Sequence, residues 1–360
     1  MPVTFPPLNR RRFISLALAA GAGALLPRPL FAAEKQADPN YFALISDLHL
    51  HANRDFVYHN DTGASDMWRN FQQVSREVLA LPTQPAAVLI NGDVAFHEGR
   101  PEDYATAMAA MIPLREGGLP VHWALGNHDD RMNIAQAAAP DSTLVPELAD
   151  RRVMMFSSPL ANIFMMDSLK LTNKTPGLLG EEQLAWLAAA LDRHTDRPAI
   201  VLVHHNPFLR RPATLPDQSP AWGKGTLLSD YVQSQLGLEH PASTNAPSDA
   251  TYGQTTVAAV TAAKPAANEG LIDTIPLLNV LLPRKQVKVW FFGHTHAYSH
   301  KQVEGLHLVN LPATGYLFAK NQPLGWMDMR VQPTGAKLQL NCLVANHPRQ
   351  HDQLDLEWRT

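Results

Sequence analysis

Five short segments of this 360-residue chain gather Asp, Asn and His at close spacing. They are Asp47-Leu48-His49, Gly92-Asp93, Gly126-Asn127-His128-Asp129, His204-His205-Asn206-Pro207 and Gly293-His294-Thr295-His296. Carboxylate, amide and imidazole donors in one set suit Fe, Mn, Zn or Co rather than a metal that prefers thiolate. A carboxylate shared by two such ions would hold them at the short separation that two-metal hydrolysis uses. In extended backbone, residues i and i+2 point to the same side. Asp47 and His49 should therefore face one ion together, and so should His294 and His296. The glycines at 92, 126 and 293 let the chain turn sharply and keep side-chain bulk away from the ions. One at a time these segments say little, since an Asp-x-His pair is common in surface loops. Their order, each following an apolar run, gives them weight.

Those runs are Tyr41–Ser46, Ala87–Ile90, Val121–Leu125, Ile163–Met166, Ile200–Val203 and Val287–Phe292. Short continuous apolar runs suit strands buried on both faces. Helical patterns separate several of them. Ser65–Leu81 sets Trp68, Phe71, Val74, Val78 and Leu79 on one face, Pro101–Arg115 opens with Pro-Glu-Asp, and Gly180–His194 spaces Leu184, Leu187 and Leu191 helically. Strand alternating with helix predicts an α/β fold. In open α/β sheets ligands bind beyond the carboxyl ends of strands, so the five segments should converge on one place. After Leu317, Trp326–Val331 and Leu338–Cys342 flank Pro333-Thr334-Gly335, which predicts a β-hairpin within about 324–345. Residues 209–269 are rich in Pro, Ala, Ser and Thr and suggest a long surface insertion in a single domain spanning 34–360.

Residues 1–33 have the pattern of a targeting segment. Arg10, Arg11 and Arg12 precede Phe13, an apolar run extends from Leu16 to Leu26, and Ala32 and Ala33 follow. The run is short for a membrane span. The segment resembles a twin-arginine signal, with Asn9 where Ser or Thr is usual. That implies handling by the twin-arginine export machinery, a periplasmic or secreted destination, and no stable membrane anchor after cleavage. A net charge of -3 with both signs scattered gives no polyanion-binding surface, so nucleic acid is not an expected partner. One Cys against 16 His excludes an intramolecular disulfide framework and a cysteine metal cluster.

The order Asp-x-His, Gly-Asp, Gly-Asn-His-Asp, His-His-x-Pro, Gly-His-x-His resembles the calcineurin-like metallophosphoesterase superfamily over about residues 41–316. Within it the nearest likeness is to the class III cyclic-nucleotide phosphodiesterases, strengthened by Gly180–Leu187 ahead of the strand into His204. The resemblance implies a four-layer α/β/β/α sandwich with mixed sheets around two divalent or mixed-valence ions. It implies that Asp47, His49 and His296 hold one ion, that Asn127, His204 and His294 hold the other, and that Asp93 bridges them. It favours His204 over His205 as ligand, leaving His205 at the rim. His128 is implied near the leaving group, as a proton donor or as a packed support for Asn127, and Asp129 as orienting His128 or the loop. The implied reaction is attack by a metal-bridged hydroxide on a small phosphate ester.

Purple acid phosphatases carry a Tyr ligand three residues after the bridging Asp. Phe96 stands there, which argues against a ferric-tyrosinate centre. His51, His59 and His97 could line the entrance, and Trp222 and Tyr252 could stack on a base or sugar. Gly223-Lys224-Gly225-Thr226 lacks the rest of a phosphate loop, and no Gly-x-Ser-x-Gly supports a serine hydrolase. The expectation is an exported phosphoesterase acting on a small phosphodiester or phosphomonoester. The alternatives are a non-specific phosphomonoesterase that scavenges phosphate and a non-catalytic binding protein on the same fold.

Overall fold

The apolar runs fold as strands whose two faces enter different cores. In β1 (Ala37–Ile45), Phe42 and Leu44 face one apolar cluster while Ala43 and Ile45 face another. The later strand Val287–Phe292 does the same: Val289 and Phe291 turn to the first cluster, Val287, Trp290 and Phe292 to a third. This double burial is why these runs lack polar alternation. The structure, a computed structural model, describes residues 35–138, 141–207 and 270–360. The expected export segment and the 209–269 insertion, with Trp222 and Tyr252, lie outside the described residues.

β2 (Tyr58–Asn60) and β3 (Gly63–Ser65) form a small hairpin, followed by β4 (Gln84–Asn91) and β5 (Val121–Ala124). Next come β6 (Met154–Ser157), β7 (Asn162–Met166), β8 (Ala199–Val203), β9 (Val287–Phe292), β10 (Ser299–Val303) and β11 (Leu306–Asn310). The last three are β12 (Gly325–Gln332), β13 (Gly335–Cys342) and β14 (Gln353–Glu357). One mixed sheet has the order β14-β13-β12-β1-β4-β5, with β1, β4 and β5 parallel. The other has the order β10-β11-β9-β8-β7-β6, with β7, β8, β9 and β11 parallel.

The inner faces meet through Phe42, Leu44, Leu89, Ile200, Leu202, Phe291, Met327 and Leu340. The helices α1 (Met67–Ala80) and α2 (Pro101–Glu116) cover the first sheet through Phe71, Val74, Tyr104 and Met111. A short helix, α3 (Arg131–Ala137), follows β5. The second sheet is covered by α4 (Glu181–Arg193) and α5 (Thr274–Leu281), through Leu187, Leu191, Leu277 and Leu278. The result is a four-layer α/β/β/α sandwich. Asp66 caps α1 by accepting from the Arg69 amide at 2.9 Å. Trp68, expected on the core face of α1, is only partly buried and lies under the Arg54 guanidinium, 4.5 Å from the ring centre.

Candidate metal centre

Five strand ends deliver the expected residues to one place. Asp47, Asp93 and Asn127 follow β1, β4 and β5 of the first sheet; His204 follows β8, and His294 and His296 follow β9, of the second. With His49 they are all buried. Donor atoms lie within mutual reach of one ion in the groups Asp47–His49–His296, Asp93–His204–His294 and His49–Asp93–His128. Asp93 and His49 each belong to two of these groups, and of the two Asp93 is the carboxylate, the kind of ligand that two ions can share.

The local backbone departs from the extended geometry expected from sequence. Asp47, His49, Asp93, His294 and His296 all have left-handed backbone, with φ of 55, 49, 49, 69 and 49°. Asp47 and His49 do face one site, but through two left-handed turns separated by Leu48 rather than through strand alternation. This conformation is sterically costly for residues with a Cβ. Cross-strand hydrogen bonds hold it, including His49 N to the Asp93 carbonyl at 2.9 Å and His294 N to Asp47 Oδ1 at 3.0 Å. The tightness has a second sign at residue 126. A Cβ on Gly126 would stand 2.1 Å from Asp93 Oδ1.

The imidazoles are aimed by their outer nitrogens. His49 Nδ1 donates to the Phe96 carbonyl at 3.0 Å, His204 Nδ1 to that of Asn91 at 2.7 Å, and His296 Nδ1 to that of Tyr316 at 2.7 Å. Such outer contacts fix the tautomer and the ring plane of a metal-binding His. Each Nε2 is thereby turned inward, where it offers a lone pair whenever its ring is neutral. His49 Nε2 and His296 Nε2 then face each other 3.0 Å apart. Two lone pairs at that distance repel unless a proton or a metal cation lies between them. On the other side, Asn127 Oδ1, His204 Nε2 and His294 Nε2 are buried with no hydrogen-bond partner. Buried polar atoms are ordinarily satisfied, so the orphans on Asn127 and His294, beside a His204 Nε2 whose one close neighbour is the Asp93 carboxylate, fit a second cation.

The charges agree. Burial alone would raise the Asp47 carboxyl, but His296 and His204 beside it bring it down to about 2. Asp93 is likewise held well below the usual carboxylate range, against burial, chiefly by His204 and His128. Burial pushes His49 and His294 down to about 3, which keeps them neutral and able to donate a lone pair. Burial would lower His204 too, yet Asp93, 3.3 Å from its Nε2, lifts it to about 9. An ion bound there has to displace that proton.

His128 is partly exposed and lines a small cavity of about 140 Å³ over the centre, with Asp93, Asn127, Asn173, Thr175 and Phe318. Its amide donates to Asp93 Oδ1 at 2.8 Å and its Nδ1 to the His97 carbonyl at 2.9 Å. Asp129 takes the loop-holding role of the two expected for it. It is fully buried and accepts from the amides of Val94, Ala95 and Gly126 and from the Tyr104 hydroxyl. Its carboxylate is spent on backbone, with no hydrogen bond to His128. His205 is not at the rim. It is fully buried behind His294, with ring centres 4.8 Å apart, and its Nδ1 lies 2.7 Å from Ser168 Oγ. A strand-end His with an apolar strand before it and Gly177 packed on its ring has no room to reach solvent.

His97 does border the site, stacked on Phe96 and 5.1 Å from the His128 ring. His51 stacks instead on Phe56, and His59 is exposed on the β2–β3 hairpin. Sequence reasoning missed Asn173, Thr175 and Phe318, which join Tyr316 at the site. Tyr316 packs 4.7 Å from His49 and 4.5 Å from His296, and Phe318 stacks on His296 at 4.1 Å. These four sit on loops without periodicity. Their one local signal is Asn173, a residue type that tolerates its left-handed φ of 57°.

The calcineurin-like phosphoesterase family model matches residues 41–298. The chain is a calcineurin-like phosphoesterase. Among its relatives, it is 30% identical over 168 residues to the glycerophosphodiester phosphodiesterase GpdQ of Enterobacter lignolyticus, covering 46% of this chain and 56% of that one. The chain thus spans little more than half of that relative's length. It is 28% identical over 279 residues to the 3',5'-cyclic adenosine monophosphate phosphodiesterase CpdA of Pseudomonas aeruginosa, covering 76% of each. A dimetal phosphatase from Danio rerio shares the fold, with a TM-score of 0.55 at 14% identity over 89% of this chain and all of that one. The clustered carboxylate, amide and imidazole donors are a set that could hold metal ions in a member of this family.

Proposed function

We propose that this phosphoesterase hydrolyses a small phosphodiester, after twin-arginine export to the periplasm or beyond. One observation carries the catalytic reading: two buried atoms without a hydrogen bond, Asn127 Oδ1 and His294 Nε2, stand with the His204–Asp93 pair beside a small cavity. In this reading Asp47, His49 and His296 hold one ion, Asn127, His204 and His294 the other, and Asp93 both. Bound ions of the Fe, Mn, Zn or Co type would supply water activation at neutral pH and charge neutralisation at phosphorus. The chain's own part is to fix the donors and to exclude bulk water. It also presents His128 to the leaving oxygen, its ring anchored through Nδ1. The preference for a diester is supported by the two relatives, both named as phosphodiesterases. The test is a phosphate-release screen of the purified chain, reconstituted separately with each metal, against matched mono- and diesters. Diesters should be favoured in kcat/KM. Equal or better turnover of monoesters would support the phosphate-scavenging alternative, and no turnover with any metal would leave a binding protein. For export, replacing Arg10 and Arg11 by Lys should retain the protein in the cytoplasm. Undiminished periplasmic yield would point to the general secretory route.

A further inference from the structure

Next to the metal centre lies a larger hollow of about 530 Å³, within the size range of sites that enclose small organic molecules. Its floor is apolar, with Ile134 of α3 and Leu169 both buried. At its mouth stand Met132, 70% exposed, and Leu171, 59% exposed. Single exposed apolar side chains are ordinary, but two large ones lining one hollow give it apolar surface that water solvates poorly. Two cations, Arg151 and Lys170, and two carboxylates, Asp130 and Asp150, also line it, and none of the four makes an ion pair among the described residues, so the rim is charged but balanced. The other arginines there are engaged: Arg131 holds Asp167 at 2.7 Å, and Arg152 approaches Asp141 at 3.9 Å.

The hollow and the metal cavity share a wall. The Asn173 amide donates to the Asn127 carbonyl at 2.6 Å, and Thr172 Oγ1 donates to the Asp129 carbonyl at 2.9 Å. Along this seam Asn127, His128 and Asn173 face the metal cavity, while Asp130 and Thr172 face the hollow. Asp130 is two residues from His128, a separation of at most about 7 Å between Cα atoms. A diester whose phosphate lies at the metal centre therefore needs only a short substituent to cross the seam.

Resting on the diester reading above, we propose that this hollow is a substrate subsite that takes one apolar ester substituent. The apolar floor and mouth bury the substituent.

The test compares methyl p-nitrophenyl phosphate with octyl p-nitrophenyl phosphate on the metal-loaded full chain. The leaving group is the same in both, so the ratio of their kcat/KM values reports the substituent alone. The octyl ester should be favoured roughly tenfold or more, given the apolar surface it buries. Leu171→Asp and, separately, Met132→Asp should each bring the ratio to near one, and Leu171→Met should restore it. Both positions are exposed, so these variants keep the fold. In parallel, calorimetric binding of octyl phosphate and methyl phosphate reads the subsite without turnover. Tighter binding of the octyl compound, lost in the Asp variants, supports the subsite even if no diester is hydrolysed. That outcome would count against the diester reading alone. A wild-type ratio near one, or a preference that survives both Asp substitutions, overturns the subsite.

Discussion

The proposed ligands stand in backbone that most side chains avoid. Left-handed φ at Asp47, His49, Asp93, His294 and His296 costs on the order of 1 kcal/mol at each position. Such strain persists only where the surroundings dictate it. Gly126→Ala tests how tight those surroundings are. Its Cβ would fall 2.1 Å from Asp93 Oδ1 and 2.6 Å from the Asp93 amide, so the shared carboxylate must move. Activity should drop roughly 100-fold or more, the scale of an ångström misplacement at a reacting centre. Elemental analysis should show substoichiometric metal. Full activity at two ions per chain would mean the loop yields without cost. His128→Asn asks a different question. His128 lies within reach of His49 and Asp93, yet its Nδ1 is committed to the His97 carbonyl. If it hands a proton to the leaving oxygen, metal content should stay near two ions. The rate should fall roughly 10²–10⁴-fold, most for alkyl leaving groups and least for activated aryl ones. Equal losses for both esters would exclude proton donation. Residue types and their order were legible at this scale, because the chemistry restricts them. The left-handed turns were not, since Asp-Leu-His reads equally well as strand. Nor was the burial of His205, which depends on a fold partner, Gly177, distant in sequence.

Among the elements, apolar strands declared themselves, the edge strand β5 included, and polar edge strands did not. β9 matches its apolar run residue for residue, whereas β10, Ser-His-Lys-Gln-Val, is polar because it closes a sheet edge. β14 escaped notice for the same reason, and α3 because it is only 7 residues long. Residues 141–153 lead into β6. One side chain anchors them. Asp141 accepts from His122 Nδ1 of β5 at 3.2 Å and from Thr143 Oγ1 at 2.7 Å. Burial works against its charge, but these donors hold its carboxyl below the usual range. A depressed folded-state pKa stabilises the fold above the unfolded value, near 3.9, and that contribution fades as pH falls toward the folded value. Asp141→Asn should therefore cost about 1–3 kcal/mol at pH 7 in urea unfolding. The gap from wild type should narrow below about pH 4. A gap that stays constant from pH 7 to pH 3 would show that the ionised carboxyl is not its source.

On the scale of the whole molecule, the centre is stitched across the sandwich. The first sheet gives Asp47, His49, Asp93 and Asn127, and the second gives His204, His294 and His296. A ligand bound only by the folded state stabilises it in proportion to the logarithm of its concentration over Kd. Chelation should therefore lower the midpoint of global thermal unfolding by several degrees, and reconstitution should restore it. An unchanged midpoint would mean that the ions, if bound, do not couple the sheets. The four layers could be anticipated from the strand-helix alternation together with the motif order. The hollow beside α3 could not, because its walls come from three segments with no common pattern.

Donors divided between two sheets also make the centre a gauge. The spacing of its two halves reads out how far one sheet has slid over the other. The bearing between them is the inner core, where Leu44 of β1 packs fully buried among residues of both sheets. Leu44→Ala should cost about 2–5 kcal/mol in stability. It should also slow turnover at temperatures where the protein is still fully folded, although position 44 touches neither substrate nor ion. A seam of ordinary hydrocarbon would then set the calibration of the chemistry, and catalytic tuning could be sought by repacking the interior while every polar residue at the rim is left alone.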